Sequence, residues 1–179
     1  MNKFLLFAFI LFISGCASEE TLQEEIGEIG KIGEDVMRLS SPAFVNNGMI
    51  PPEYTCDGDN INPALDIGDI PKGTKTLALI MDDPDAPAGV WVHWVVWNIT
   101  PTNKIEKDST PGVEGTNDFR KTSYGGPCPP SGTHRYFFKL YALDTGLSIK
   151  PGASKKDLEK AMQGHILAKA ELVGKYIRQ

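Results

Sequence analysis

The sequence predicts a mostly β domain with one helix near its C-terminus. Three observations carry this. Apolar runs of strand length at 76–81, 91–100 and 136–144 recur at fairly even spacing, separated by turn-forming Pro, Gly, Asn and Asp. Helical signals are confined to one place, where Ser154 stands three residues before Asp157 and Leu158, Ala161 and Met162 share a face. From Met37 onward roughly 140 residues remain, a usual size for one domain with a sizeable core. An antiparallel sandwich or barrel with one packed helix satisfies all three.

Taken in order, residues 1–16 carry one positive charge at Lys3, an apolar run from Phe4 to Ile13, and Ser14-Gly15 before Cys16. That run is too short to span a bilayer comfortably and has the length of a signal-peptide core. Residues 1–15 are therefore expected to be a signal peptide. Ser-Gly-Cys after an aliphatic residue resembles a bacterial lipobox, which makes Cys16 the lipidated first residue of the mature chain; an ordinary secretory signal cut nearby is the alternative. Either way the chain is exported. Acyl chains on Cys16, palmitate among them, would hold it at the cell membrane on the periplasmic or extracellular face without a spanning helix.

Residues 16–37 then read as an acidic flexible tether. The stretch is rich in glutamate, and Ile-Gly repeats at 26–27, 29–30 and 32–33. Glycines at that spacing weaken a helix, and the acidic composition favours solvation. The formal net charge of the chain is -5. An acidic chain of this kind is set against nucleic acid as a partner.

The folded domain is expected over 38–179. Residues 40–62 are rich in Pro, Asn and Gly, so they form mostly loop with one or two brief strands, and a Pro-Lys-Gly turn follows at 71–73. The strand at 76–81 runs into Asp82–Ala88. There Pro84 and Pro87 fix φ and remove two donors, which makes the segment a rigid loop carrying Asp83 and Asp85. In the next strand alternation puts Trp91, His93, Val95 and Trp97 on one face and Val92, Trp94 and Val96 on the other. Both faces are apolar, as in a central strand covered on each side. His93 is the one ionisable group in it, and a carboxylate on the preceding loop suits it as a partner.

After a polar excursion over 102–118 comes Y-G-G-P-C-P-P-S-G-T-H-R-Y at 124–136. Its glycines supply conformations that other residues resist and let the backbone approach a ligand closely. The loop opens onto the strand at 136–144, and alternation sets His134 and Tyr136 on one face. The helix that Ser154 caps stops at Gly164, and 165–173 alternates as a last strand.

Four segments together resemble the phosphatidylethanolamine-binding protein family, the group that includes the Raf kinase inhibitor protein. They are D-P-D-A-P at 83–87, W-x-H at 91–93, G-G-P-x-P-P-x-G-x-H-R-Y at 125–136 and H-I-L at 165–167. Y-T-C-D-G at 54–58 and F-F-K-L-Y-A-L-D at 137–144 resemble its bacterial and archaeal branch. The resemblance runs from Leu39 to the C-terminus. It implies a large central, antiparallel-rich β-sheet with a smaller sheet and a C-terminal helix. It also implies a small anion pocket for phosphate-bearing groups, phospholipid head groups included, at Asp83, Asp85, Pro87, Trp91, His93, Gly125, Gly126, His134 and Tyr136.

The chemistry of such a pocket is plain. Two imidazoles, the Tyr136 region and N–H groups of the glycine-rich loop supply donors, while a carboxylate orients one histidine and sets its tautomer. Binding then strengthens as the histidines protonate. The opposing reading has both aspartates only bracing their loop, with His93 satisfying them.

With Cys16 acylated, Cys56 and Cys128 are left as an even pair in an oxidising compartment. They either form a disulfide between the 54–58 loop and the glycine-rich loop or stay as two separate buried thiols. No C-x-x-C or H-x-x-x-H spacing occurs, so neither a metal site nor a cofactor is expected. His165 is either a satisfied partner of backbone groups or an edge of the pocket.

Functionally these features describe a membrane-anchored binding protein. Its partner is a phosphate-bearing small molecule, a phospholipid head group, or another protein that it inhibits or regulates. The alternative is a hydrolase or transferase using Asp and His as general acid and base. Catalysis is not expected, because no G-x-S-x-G elbow, P-loop or metal cluster accompanies them, and Ser123 and Ser131 lack a nucleophile's setting.

Overall fold

The computed structural model describes residues 36–178. The expected signal peptide, the lipidated Cys16 and nearly all of the tether lie outside the described residues. Three short strands make a small antiparallel sheet: β1 (Arg38–Ser40) and β5 (Lys104–Ile105) flank β2 (Leu65–Gly68). Five strands make the large one, in the order β6-β4-β3-β7-β8. They are β3 (Thr76–Asp83), β4 (Trp91–Ile99), β6 (Val113–Glu114), β7 (Thr133–Leu143) and β8 (Ile166–Ile177), and every neighbouring pair is antiparallel. The helix, α1 (Lys155–Ala161), begins with a capping box in which the Ser154 hydroxyl and the Asp157 carboxylate each take the other's backbone N–H.

The large sheet is covered on both faces, and the alternation of β3 shows why. Leu77, Leu79 and Met81 point toward the small sheet, where Leu39, Leu65, Ile67 and Ile105 meet them together with Trp94, Tyr136 and Phe138. Ala78 and Ile80 point the other way, toward Leu158 and Met162 at α1 and Trp97 of β4. A strand apolar on both sides can only be central, and β3 and β4 lie inside the sheet. Among the described residues no helix is long and apolar enough to cross a membrane.

Two sequence expectations are corrected here. β3 does not stop at Met81: Asp82 and Asp83 still pair, with Val92 and Trp91 of β4, and only Pro84, which lacks an N–H, ends the strand. The simple alternation of β4 also fails. Met81 faces Trp94 while Asp82 faces Val92, so β4 spends one extra residue, His93, in a β-bulge. The bulge shifts the phase. Val92 joins Val95 and Trp97 on the helix side, while His93 packs edge-on against Tyr136 on the other.

Candidate functional site

The site lies where β3, β4 and β7 end and the loops that follow or precede them converge. Asp83, the last residue of β3, is buried. One carboxylate oxygen accepts the Asp85 amide at 2.8 Å, and the other meets Nδ1 of His134 at 2.7 Å. The alternation of β7 puts His134 and Tyr136 on one buried face, as the sequence indicates.

The carboxylate therefore holds His134 and not His93, contrary to the pairing expected from sequence. Nδ1 of His93 lies 2.6 Å from the carbonyl oxygen of Gly125. A carbonyl only accepts, so Nδ1 carries the proton and Nε2 of the neutral ring is a bare acceptor. Burial pushes the His93 imidazole below its usual range, opposed by the Gly125 hydrogen bond and the Asp83 charge. The bulge is fixed from outside the strand: the Asp118 carboxylate accepts the Val92 amide at 2.7 Å, and Asn117 and Gly125 both donate to the His93 carbonyl.

Asp85 serves differently. It takes a forked pair of bonds from Arg135, Nε at 2.9 Å and Nη2 at 2.7 Å, together with the Arg135 amide at 3.0 Å. The Arg135 hydrogen bond leads in lowering its carboxyl pKa to about 2. Asp85 thus braces the Pro84–Pro87 loop against β7 and does not line the cavity, as the opposing reading of this residue had it.

The cavity itself has a volume of about 330 Å³. Asp83, Pro87, Trp91 and His93 line it, and Ala86, Ala88, Phe119, Cys128 and Pro130 complete its wall. Its rim is apolar and its chemistry sits in the floor. No lysine or arginine is among the lining residues. A larger groove of about 620 Å³ runs between β1 and β8, but it brings together no buried carboxylate and histidine.

Gly125 and Gly126 border the site without offering free amides. The Gly125 N–H donates to the His93 carbonyl, and the Gly126 N–H to Asn60 at 2.7 Å. Neither glycine has positive φ. Both are required by crowding, since a Cβ at 125 would come within 2.6 Å of the Phe119 ring and one at 126 within 2.5 Å of the Tyr54 carbonyl. The expectation that these amides would greet an anion is thereby overturned, and so is the conformational reason for these two glycines; in the same loop it holds for Gly132, at φ 70°.

Among the described residues three buried side-chain donors stand unpartnered, Trp97 Nε1 on the helix side of the sheet and two near the site. Trp91 Nε1 and the Tyr136 hydroxyl are buried and make no hydrogen bond in the structure. Burial raises the Tyr136 phenol pKa further above its usual range, so it keeps its proton. The Cys128 amide approaches it and partly offsets the rise without reaching hydrogen-bond geometry. Groups left in this way are candidates for a ligand's oxygens.

Cys56 and Cys128 form a disulfide, with Cα atoms 5.4 Å apart, that joins the 54–58 loop to the glycine-rich loop. His165 lies away from the cavity lining and pairs with the Asp144 carboxylate at 2.8 Å, not with backbone. Ser123 and Ser131 are exposed. Among the described residues no cluster of three or more His, Cys, Asp or Glu is placed to hold a metal.

Sequence reasoning missed Phe119, which packs edge-on against both Trp91 and His93. Its one signal was an aromatic residue inside a polar stretch, Asn-Asp-Phe-Arg-Lys. Asn117 and Asp118 beside it gave none, because their work is to hold backbone groups 24 and 26 residues away.

Comparison with known proteins agrees with this architecture. Residues 40–177 match the family model described as phosphatidylethanolamine-binding protein. A UPF0098 protein of Methanothermobacter thermautotrophicus is 51% identical over 150 residues, covering 79% of this chain and 99% of that protein. One from Aquifex aeolicus is 47% identical over 156 residues, covering 82% and 91%. Among solved structures, a phosphatidylethanolamine-binding protein homologue from Chlamydia trachomatis superposes with a TM-score of 0.79 at 40% identity, over 82% of this chain and 100% of its own. E. coli YbcL gives 0.74 at 28% identity, over 80% and 99%.

Proposed function

The chain belongs to the phosphatidylethanolamine-binding protein family, and we propose that it is an exported, membrane-anchored binding protein whose pocket takes a phosphate-bearing small molecule or phospholipid head group. The observation that carries this is the cavity, where His93, Asp83 and the unpartnered Trp91 Nε1 meet beneath an apolar rim, with His134 bonded to Asp83 and Tyr136 packed against His93 behind them. Because no fixed cation lines the cavity, the positive charge for an anion comes from a proton on imidazole. His93 is neutral in the free protein, with Nε2 open. An anion beside Nε2 favours the imidazolium, so binding takes up a proton and tightens as pH falls.

Export and lipidation at Cys16 form part of the same proposal. They draw support from the signal-like leader and from a disulfide that suits an oxidising compartment. An inhibitory protein partner at the same face is compatible with the exposed Val90 and Phe119 near the cavity.

The test is an NMR titration of the purified protein with phosphoethanolamine at pH 6 and pH 8. Saturable shifts at His93, His134 and Trp91, stronger at the lower pH, are expected. Shifts that are absent at both values would remove the pocket from the proposal. The open Nε2 of His93 also suits a general base, and turnover of the ligand in the same sample would move the assignment to catalysis.

A further inference from the structure

The glycine-rich loop is held very unevenly. Its first half is fastened five ways: Tyr124 Oη to the Tyr54 carbonyl, the Gly125 amide to the His93 carbonyl, the Gly125 carbonyl to His93 Nδ1, the Gly126 amide to Asn60, and the Pro127 carbonyl to the Cys56 amide. Its second half, Cys128 to Gly132, makes no backbone hydrogen bond until β7 begins at Thr133. Two of those five residues, Pro129 and Pro130, have no N–H to give. The tie on this half is the disulfide to Cys56. Yet Cys128 and Pro130 form part of the pocket wall.

From this placement we propose that the Cys56–Cys128 disulfide is a redox-sensitive clamp on the pocket, and that reduction by a dithiol loosens the 128–132 wall and weakens ligand binding while the β core stays folded. The inference rests on the pocket reading above. The bond is within reach of a reductant, since both cysteines are half-buried and both line a smaller cavity of about 160 Å³ beside the first. The Asp57 carboxylate lies 3.9 Å from Cys56 Sγ and disfavours a thiolate there. Attack at Cys56 leaves the departing thiolate on Cys128, away from Asp57.

The step balances. A thiolate of the dithiol bonds to Cys56 Sγ as the Cys56–Cys128 bond breaks, and Cys128 leaves as a thiolate that takes a proton. The second thiol of the reagent then closes on its own sulfur partner and releases Cys56, which is protonated in turn. Two electrons and two protons reach the cysteines, and the dithiol becomes a cyclic disulfide. What the clamp supplies is preorganisation: a wall that must be ordered when ligand arrives lowers affinity by that ordering cost.

Inorganic phosphate titrated into the oxidised protein, the dithiothreitol-reduced protein and Cys56→Ser, each followed by NMR, tests this. About a tenfold loss of affinity is expected in the last two, a size typical of lost preorganisation. Backbone NMR relaxation should show greater mobility at Cys128, Ser131 and Gly132, with a cooperative melt and unchanged core signals. Equal affinity in all three samples would overturn the clamp and leave the pocket standing. Loss of the cooperative melt on reduction would overturn it as well, making the disulfide a staple of the whole fold. No binding even when oxidised would remove the pocket reading, and the clamp with it.

Discussion

Asp82 and Asp83 are neighbours in β3, both buried, and they face opposite sides of one sheet. Asp82 looks toward the helix side and is neutralised by two ammonium groups, Lys139 Nζ at 2.7 Å and Lys155 Nζ at 2.6 Å. One lysine comes from β7 and the other from the first turn of α1, so the carboxylate pins the helix to the sheet. Asp83 looks toward the cavity and is met by a histidine and one amide. The partner decides what a buried carboxylate can do. Two ammonium groups from different elements make the first site a fixed strut, whereas the second lies at a cavity that a ligand can enter.

The largest expected effect comes from breaking the strut. Lys139→Met with Lys155→Met leaves the Asp82 carboxylate buried and uncompensated, which should cost about 3 to 5 kcal/mol in denaturant unfolding. Phosphate binding by the folded fraction should be unaffected. A loss under 1 kcal/mol in that experiment, on the scale of exposed pairs, would show the lysines to be solvated and dispensable.

Removing the histidine on the other face should cost less stability and more function. In His134→Ala, Asp83 keeps the Asp85 amide but loses its second partner, a loss of about 1 to 3 kcal/mol. Phosphoethanolamine shifts at His93 should weaken or vanish. If His134→Ala bound as tightly as the parent, the cavity face would be no more than a second strut.

Acid sharpens the contrast further. The folded pKa of His93 lies below its unfolded value because burial penalises the imidazolium. The stability tied to its neutral form is thus fully present above about pH 6.5 and is lost as pH falls through the lower folded value. Mild acid should destabilise the parent, and His93→Gln should flatten that limb of the curve. A parent whose stability does not change between pH 7.5 and pH 5 would contradict the assignment.

The smallest effect belongs to the exposed clamp between Asp85 and Arg135. Arg135→Lys removes the forked geometry and should leave stability at pH 7 nearly unchanged. Asp85 is held down at about 2 from an ordinary 3.8, so its contribution is present above 3.8 and lost as pH falls through about 2. In the variant the folded value rises toward 3.8, so that acid limb should be shallower and finish at higher pH, which an acid titration of unfolding would read directly.

Much of this was legible beforehand because it is local. The capping box at Ser154 and Asp157, the shared face of His134 and Tyr136, and strands apolar on both sides all follow from spacing within a few residues. The motifs at 83–87, 91–93 and 125–136 lie in segments that the fold brings together around one cavity. What spacing could not reach was decided between distant segments. The bulge at His93 depends on how β4 registers against β3 and on Asn117 and Asp118 holding it from the far edge.

The same limit explains the rest. Either histidine suited Asp83 by chemistry, and only the packing of β7 beside β3 delivered His134 while Gly125 claimed His93. The cysteines met because two loops 72 residues apart close on each other, a separation that no local pattern encodes. The sequence by itself determined the main elements, their buried faces outside the bulged β4, and the residues from which a site could be built. Tertiary structure alone decided which donor faces which acceptor, because hydrogen bonds and ion pairs have short range and their partners are brought within it only by packing.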